Sequence, residues 1–524
     1  MSYQSIEFII FVLLVLLFYY TVGRKHQKLV LAVANLVFYA VAGLKYLPFM
    51  LITMVATFAA GKKMGAIYAD ADEQLKLCAD NAEKKVVRAK AKKDAKRVLQ
   101  LSMFITLIFL IVCKYSLFAV SNVNAVLAHF GAAQIPMFRM VLPLGISFYS
   151  FMALSYVLDI YWKRYKAEQN FINYAVYLAY FPHVVQGPID RFNEFSKQLE
   201  QPVALDYKTI TYGAQLALWG FFQKLVIADR LGILVDTVLA DWASYTGGML
   251  FFIIVVFSVQ IYADFSGCID IVTGVSEMLG IKLRKNFNHP YFSRTMAEFW
   301  RRWHISLQEW FKDYVYYPVS ASAFMKKLKK SSKEKFGLRT SELAASCFPI
   351  FVVWCVTGIW HGAAWKFVLW GMFHAALLIG SQIFAPLFKK VPEVLKLNTE
   401  TYGFRFFQIM RTFILCCIGR IFFRSDDFAM SVGIISKVIH NTNLPSITQT
   451  IEILGAVDVL VVVFAIILLL AVDIIQEKTS VRDLLAKENY ITRWIVFFAI
   501  LFIIILTGIY GPGYNASSFI YEQF

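Results

Sequence analysis

The sequence predicts an all-α, polytopic membrane protein, with about 10–12 transmembrane helices plus re-entrant and in-plane amphipathic helices. The first observation behind this prediction is composition, because 59% of the 524 residues are hydrophobic and only 17% are charged. A soluble domain has roughly 45–50% apolar and about 25% charged residues, so this composition excludes a soluble globular enzyme. The 7 cysteines are too sparse for a disulfide scaffold, and none forms a CxxC pair.

The second observation is where the positive charge lies. The formal net charge is +17, and much of it falls in two segments. Segment 61–97 holds 11 basic and 6 acidic residues, and segment 324–340 holds 7 basic and 1 acidic. Basic segments between apolar helices mark the cytoplasmic side of a membrane protein, so we expect both to be cytoplasmic loops. This explanation of the basic excess argues against a nucleic-acid partner.

The third observation is a series of apolar runs along the chain. The first run is not a secretory signal, because Glu7 precedes it and Arg24 and Lys25 follow it. That order predicts a retained membrane helix with its N-terminus outside, and the loop charges place the C-terminus outside as well. We therefore expect residues 1–524 to form one integral domain in the cell membrane. The runs cover 1–22, 29–44, 47–60, 98–119, 141–161, 171–188, 209–239, 247–277, 342–360, 363–387, 405–424, 451–475 and 491–511.

Three consecutive runs, 171–188, 209–239 and 247–277, lie between two basic ends. Lys166 precedes them and Lys282 follows them, and charge places both ends inside. Because the chain returns to the same side, the number of crossings is even, and one run is predicted to be re-entrant or to lie flat. Non-helical backbone at membrane depth is tolerated only against protein or a wet cavity, so this break is a candidate site.

The segment 296–315 has a different pattern. Trp300, Trp303 and Leu307 recur at spacings of three and four, which predicts an amphipathic helix in the plane of the membrane interface. His304 would then point along the apolar face of that helix. It is either a buried structural histidine or a functional one, and position alone does not decide between them.

His361 lies at the junction of two apolar runs, with Gly358 and Gly362 close by. A titratable side chain at a break in a membrane helix is costly, and by default it indicates a functional site. A turn histidine at the interface is the alternative. His374, further along the next run, is expected to be a hydrogen-bonding residue of the core.

Two other polar groups interrupt apolar runs. Asp190 and Arg191 follow a Gly-Pro break, where they could pair in low dielectric or form a surface ion pair in a loop. Asp264 and Asp270 lie inside an apolar segment and predict a buried hydrogen-bond network or the wall of a cavity. We predict no metal site, because the sequence contains no cluster with metal-ligand spacing and no common soluble-enzyme motif.

A set of aromatic and polar motifs is spread over five segments: Gly187–Arg191, Asn286–Tyr291, Glu298–Leu307, Asp313–Tyr314 and Gly358–Gly362. Together these segments resemble the membrane-bound O-acyltransferase (MBOAT) family. Within that family the chain is most similar to the bacterial alginate O-acetyltransferase branch. The branch that D-alanylates teichoic acid is also similar.

The resemblance implies the MBOAT fold and a reaction in which an acyl group moves from a thioester to a hydroxyl or amine. In the acetylating branch the acyl group passes from inside the cell to outside. The resemblance also implies that His361 is the catalytic histidine, acting as general base on the accepting hydroxyl. His304 matches the second family histidine, which would position the donor from the cytoplasmic side. No bound cofactor is expected, since the donor, acetyl-CoA or acyl carrier protein, is a substrate.

The resemblance extends to substrate and partners. A surface or secreted polysaccharide would be the final acceptor, reached through an extracytoplasmic SGNH-type acetyltransferase partner. The lipid bilayer and a cytoplasmic acyl donor complete the expected partners. The expected substrate-binding residues are Asn288, Trp303, Trp360, Asp190 and Arg191.

The C-terminal tail, 512–524, is expected to be extracytoplasmic. It ends Phe-Ile-Tyr-Glu-Gln-Phe, which looks like the tail of polysaccharide-acetylating relatives. This likeness implies that the phenol of Tyr521 accepts the acyl group, with His361 as its base, because a phenol of pKa about 10 needs one. An aromatic anchor at the membrane interface is the alternative.

Two other functions remain open from the sequence. The first is D-alanyl transfer from a carrier protein to teichoic acid, within the same family. The second belongs to another class, a transporter or flippase with buried histidines for proton coupling. A transporter would need repeat symmetry and paired mid-helix charges, and the sequence shows no internal repeat.

Overall fold

The computed structural model of the chain describes residues 1–138, 141–441 and 443–510. Within these ranges the secondary structure is helical, and the only β-type pairing is an isolated antiparallel bridge between Phe287 and Trp303. Tyr521 and the tail 512–524 lie outside the described residues.

Eight helices of the described ranges are long and apolar enough to cross a membrane. Three shorter apolar helices accompany them: Ile6–Thr21, Ile146–Tyr161 and Phe428–His440. This confirms the predicted all-α, polytopic architecture. By contact pattern the chain divides into two compact units, residues 1–214 with 272–284, and residues 215–271 with 285–524.

The first unit is built on long helices and an aromatic core. Tyr3 stacks on Phe38 with ring centroids 5.8 Å apart, and its hydroxyl donates to the carbonyl oxygen of Phe181 at 2.7 Å. These contacts bury the N-terminus of the chain within this unit. Its helices are Ile6–Thr21, Arg24–His26 and Leu44–Tyr46 (both 3₁₀), Gln27–Ala42, Leu47–Leu77, Asn81–His129, Ile146–Tyr161, Phe171–Ala179 and Phe192–Glu200.

The basic segment 61–97, predicted as a loop, is helical on both sides of a short break. The helix Leu47–Leu77 ends, and Asn81–His129 begins after the N-cap Asp80, whose carboxylate accepts from the backbone amide of Glu83 at 2.7 Å. Glu83 in turn accepts from the amide of Ala79 at 2.9 Å, which completes a reciprocal cap. The Ala- and Lys-rich composition favours helix on either side, so only the cap interrupts it.

The run 171–188 departs most from a spanning helix. Its helix, Phe171–Ala179, has 9 residues. At 1.5 Å per residue it is about half as long as the roughly 30 Å hydrocarbon core requires. A series of buried turns follows, in which His183 contacts the carboxylate of Asp190 at 3.1 Å and the carbonyl of Tyr177 at 2.8 Å. The protein itself satisfies this non-helical backbone, as expected for a break in an apolar run.

The second unit holds four of the five motif segments and most of the spanning helices. Two helices, Tyr207–Phe221 and Gly247–Met278, contribute residues to both units. The other helices of the second unit are Phe222–Ala228 and Lys312–Tyr316 (both π), Trp242–Ser244 and Pro290–Phe292 (both 3₁₀), Asp229–Ala240, Met296–Arg302, Ile305–Phe311, Tyr317–Ser320, Ala323–Phe336, Leu338–His361, Trp365–Ile383, Ala385–Val394, Tyr402–Arg424, Phe428–His440, Ile447–Leu454, Ala456–Gln476, Val481–Leu485 and Tyr490–Thr507.

The prediction of one continuous helix over 296–315 is wrong. Two short helices, Met296–Arg302 and Ile305–Phe311, are separated by Trp303 and His304. Trp303 is extended and forms the bridge to Phe287, and His304 adopts the left-handed conformation with φ 50°. The aromatic side chains of this segment are buried inside the protein, so protein rather than the membrane surface covers them.

Candidate active site

His361 is the last residue of the helix Leu338–His361, and the next helix begins at Trp365. The predicted junction of two apolar helices at this histidine is therefore confirmed. Its side chain is buried. A short connection of this kind places two antiparallel neighbouring helices side by side and fixes the imidazole at their common end.

Aromatic rings surround the imidazole of His361. The ring centroids of Trp370, Trp360 and Phe423 lie 4.8, 5.0 and 5.7 Å from it, and all three meet it edge to face. Trp370 comes from the following helix and Phe423 from Tyr402–Arg424. This cage excludes water and holds the ring in one orientation, which a general base requires.

His304 is held by an amide from an earlier motif. Its Nδ1 lies 3.2 Å from Oδ1 of Asn286, and the same oxygen accepts from the hydroxyl of Ser306 at 2.8 Å. The backbone amide of Ile305 donates to the carbonyl of Asn286 at 2.9 Å. These bonds pin the left-handed turn, and they explain why the helix stops at this position.

The protonation state of His304 follows from its burial. Burial lowers the pKa of His304 to about 3, so the imidazole is neutral near pH 7. Since Oδ1 of Asn286 is an acceptor, Nδ1 of the neutral ring carries the hydrogen. The lone pair therefore lies on Nε2, which can accept a hydrogen bond or a proton.

The two predicted catalytic histidines flank one indole. The ring of Trp360 lies 6.1 Å from the ring of His304 and 5.0 Å from that of His361, centroid to centroid. The sequence places them 57 residues apart, and the fold brings both rings against one side chain. This arrangement joins three of the residues predicted from the motifs into one site.

Asn288 and Trp303 belong to the same site. The backbone amide of Asn288 donates to the carbonyl of Arg302 at 2.9 Å, and its side-chain oxygen accepts from Lys285 at 2.8 Å. The Trp303 ring packs against Phe287 with centroids 5.0 Å apart. Both residues thus support the turn that carries His304.

Asp190 and Arg191 lie in the first unit. Both are buried, so the alternative of a surface ion pair in a loop is wrong. The carboxylate of Asp190 contacts Nδ1 of His183 at 3.1 Å and accepts from the backbone amide of Arg284 at 3.1 Å. Asp190 therefore organises a buried turn.

Asp473, a carboxylate outside every predicted motif, forms a second network near the site with Tyr262 and His289. Asp473, in the apolar helix Ala456–Gln476, accepts from the hydroxyl of Tyr262 at 2.9 Å. Its other oxygen lies 3.1 Å from Nδ1 of His289. The sequence signal that could have found Asp473 is its place inside an apolar run, because a carboxylate at membrane depth needs hydrogen-bonding or charged partners.

The buried network expected around Asp264 is present. Lys224, on the π-helix Phe222–Ala228, lies 2.7 Å from Asp264 and 2.8 Å from Asp229. Gln223 next to it donates to Asp270 at 2.7 Å. The three charged groups are fully surrounded by protein, which makes them interdependent.

A small cavity of about 30 Å³ lies beside the histidine cage. Its walls include Trp300, Trp370, His374 and Arg420. His374 is buried as predicted, and its Nδ1 has no hydrogen-bond partner among the described residues. The described residues contain no group of three or more His, Cys, Asp or Glu side chains suited to a metal ion.

Comparison with known proteins places this site in a family. The model of "MBOAT, membrane-bound O-acyltransferase family" matches residues 167–422. The chain is 30% identical over 410 residues to the probable alginate O-acetylase AlgI of Pseudomonas syringae pv. tomato, covering 78% of this chain and 69% of that protein. The chain therefore belongs to the MBOAT family, and it is an acyltransferase.

Two further relatives differ in their acceptors. The chain is 28% identical over 386 residues to the peptidoglycan O-acetyltransferase of Helicobacter pylori, covering 68% of this chain and 65% of that protein. It is 28% identical over 289 residues to the teichoic acid D-alanyltransferase of Bacillus subtilis, covering 54% and 69%. The family is thus shared by relatives named for acetyl and for D-alanyl transfer.

Proposed function

We propose that this protein transfers an acetyl group from a cytoplasmic thioester across the membrane for O-acylation of a surface or secreted polysaccharide. The observation that carries the proposal is that the buried rings of His304 and His361 both contact Trp360, with His361 surrounded by aromatic side chains. The names of the alginate and peptidoglycan O-acetylating relatives support acetyl as the acyl group and a polysaccharide as the acceptor.

His361 acts as the general base in this reaction. It removes the proton of the accepting hydroxyl as that oxygen attacks the carbonyl carbon of the thioester. The new C–O bond forms and the C–S bond breaks. The leaving thiolate then takes the proton from the imidazolium, so that His361 returns to its neutral form.

His304 positions the donor and stays neutral. With Nδ1 donating to Asn286, its Nε2 can accept a hydrogen bond from an amide of the donor arm. A neutral imidazole in this place orients the thioester without adding charge. The donor, acetyl-CoA or an acyl carrier protein, approaches from the cytoplasmic side.

Tyr521 is proposed as the first acceptor on the outer side. Its phenol, activated by His361, would form an aryl ester, and an extracytoplasmic SGNH-type transferase would pass the acetyl group to the polysaccharide. Both termini are then outside. Tyr521→Phe keeps the ring and removes the oxygen, so unchanged glycan acetylation by that variant would overturn the relay and leave the tail as an anchor.

The test of the whole proposal is polysaccharide mass spectrometry in a deletion strain complemented with variants. Wild-type chain should restore O-acetylation, and His361→Gln should reduce it about 100- to 10,000-fold. His440→Gln, an exposed histidine, is the matched control and should restore it fully. Restoration by a folded His361→Gln protein would refute the assigned base. Loss of D-alanyl rather than acetyl groups in the deletion strain would favour the alternative, D-alanyl transfer to teichoic acid.

A further inference from the structure

We propose that the cavity beside His361 is the pocket for the acyl group, and that Arg420 restricts it to a small uncharged acyl group and rejects aminoacyl groups. This inference rests on the proposed function. The cavity is lined by side chains from four helices, among them Ile261, Phe299, Trp300, Trp370, His374 and Arg420.

The position of the cavity fits transfer at His361. Trp370 and Phe423 line the cavity, and the same two rings contact the imidazole at 4.8 and 5.7 Å. The cavity and His361 are thus separated by the width of an aromatic side chain. An acyl group with its alkyl end deepest would direct its carbonyl carbon toward this edge, where the base activates the acceptor.

The size of the cavity suits two carbons. A water molecule needs about 10–15 Å³ of such volume, so about 30 Å³ admits about two or three non-hydrogen atoms. An acetyl group has two carbons and one oxygen. An alanyl group adds a methyl and an amine, and an isobutyryl group adds two methyls, so both exceed the volume by similar amounts.

The polar groups of the wall suit a carbonyl oxygen. Nε1 of Trp300 is buried, donates only, and has no hydrogen-bond partner among the described residues. Nδ1 of His374 is likewise buried without a hydrogen-bond partner among the described residues, and it donates in the tautomer that carries its hydrogen there. The ring centroids of Trp300 and His374 lie 4.9 Å apart, and both residues line the cavity. An acyl oxygen accepts hydrogen bonds and would satisfy these nitrogens.

The charge of the wall discriminates against an ammonium. The lining includes the Arg420 guanidinium, which stays protonated in proteins, and it includes no carboxylate. Arg420 is fixed in place, since it donates to the hydroxyl of Tyr291 at 2.7 Å and stacks over the rings of Tyr291 and Trp303 at 5.2 and 5.3 Å. The ammonium of a D-alanyl group would enter beside a like charge in low dielectric, whereas acetyl carries none.

The experiment uses the purified full chain and three donors, acetyl-CoA, isobutyryl-CoA and alanyl-CoA, with CoA release measured for each. Isobutyryl and alanyl groups have nearly the same shape, so the ratio of their CoA-release rates isolates the effect of charge. The ratio of the acetyl rate to the isobutyryl rate isolates the effect of size. CoA release from acetyl-CoA should be faster than from isobutyryl-CoA by about 10–200-fold or more, the usual cost of an excess carbon in a full pocket. Isobutyryl should exceed alanyl by about tenfold or more.

Three variants at two positions test the residues. Ile261→Val and Ile261→Ala should enlarge the pocket stepwise and raise isobutyryl release relative to acetyl. Arg420→Met keeps the bulk of the side chain and removes its charge, so it should narrow the isobutyryl-to-alanyl ratio by about tenfold. Retained elution volume and melting temperature confirm folding, and the ratios are internal to each protein.

The outcomes separate this inference from the proposed function. Equal use of isobutyryl and alanyl by the wild-type chain, or ratios unmoved by folded Ile261 and Arg420 variants, would overturn the pocket while acetyl transfer stands. Absence of CoA release that depends on His361 would exclude acyl-CoA as the donor and overturn this inference, whereas the proposed function is overturned by the glycan assay.

Discussion

Gly371 lies directly opposite Gly358 across the helix pair that ends at His361. A Cβ atom on Gly371 would lie 3.2 Å from the Cα of Gly358 and would clash with the carbonyl oxygen of Trp354. A Cβ atom on Gly358 would in turn lie 2.5 Å from the carbonyl oxygen of Phe367. The two backbones are therefore in contact, and the position of His361, three residues after Gly358, depends on that contact.

We expect Gly371→Ala to displace the helix pair. The added methyl group meets backbone atoms that cannot rotate away, so unfolding should be easier by about 1–3 kcal/mol and His361-dependent transfer should fall. Gly380→Ala, on the same helix, is the matched control because nothing lies within 4 Å of its added Cβ. That variant should keep its melting temperature or gain slightly, since alanine favours helix. Equal melting temperatures for both variants would contradict the close approach.

The burial of His304 predicts acid sensitivity. Its pKa is about 3 in the folded chain and near 6.5 when exposed, so above about pH 6.5 both states are neutral. As the pH falls from about 6.5 toward 3, only the unfolded chain binds the proton, and stability is lost. His304→Gln should therefore lose less melting temperature than wild type between pH 7.5 and pH 5. The exposed residue His440 changed to Gln should follow the wild-type curve, and a parallel curve for His304→Gln would refute the assignment.

The carboxylate of Asp473 should stabilise the site by accepting from two partners. Asp473→Asn retains the shape but has one acceptor oxygen, so it cannot serve both Tyr262 and His289. We expect a loss of about 1–3 kcal/mol in unfolding free energy, measured by melting temperature. Asp458→Asn is the control on the same helix. Asp458 is 46% exposed, and asparagine keeps an acceptor oxygen for its partner Arg230, so this change should cost less than Asp473→Asn, about 1 kcal/mol or below.

Cysteine labelling should place both basic segments in the cytoplasm. Single cysteines at Lys76 and Lys330, which are exposed, should react with an impermeant maleimide only in inside-out vesicles. A cysteine at the exposed residue Asn441 should react in intact cells, because the segment 425–450, which carries Asp426 and Asp427, is expected outside. Labelling of either lysine position in intact cells would reverse the proposed orientation.

The sequence predicted the spanning helices well because membrane partition depends on local composition. The runs 342–360 and 405–424 correspond to Leu338–His361 and Tyr402–Arg424 within a few residues. The break at His304 could not be read from its own segment, because the amide that fixes it is on Asn286, 18 residues earlier. Local periodicity predicts a helix there, and a distant hydrogen bond overrides it.

Of the candidate site, the sequence predicted only the residues that belong to its motifs. His361 and Trp360 are adjacent in one motif, and the nearby Gly358 and Gly362 indicate the end of a helix. Asp473 is 184 residues from its partner His289, and no local sequence pattern indicates that the two side chains meet. The cavity beside Arg420 likewise exists only once several helices pack.

The buried ion pairs of Lys224 bear on how the chain is made. During synthesis Lys224 emerges 40 residues before Asp264, but Asp229 follows it on the same helical stretch. An isolated lysine at the centre of a membrane helix costs about 2.5–3.5 kcal/mol on insertion scales. Because Asp229 enters with it, the nascent segment meets the insertion machinery as an internally neutral pair. Asp264 joins later, when its own helix docks, so the order of translation matches the order in which the charges become satisfied.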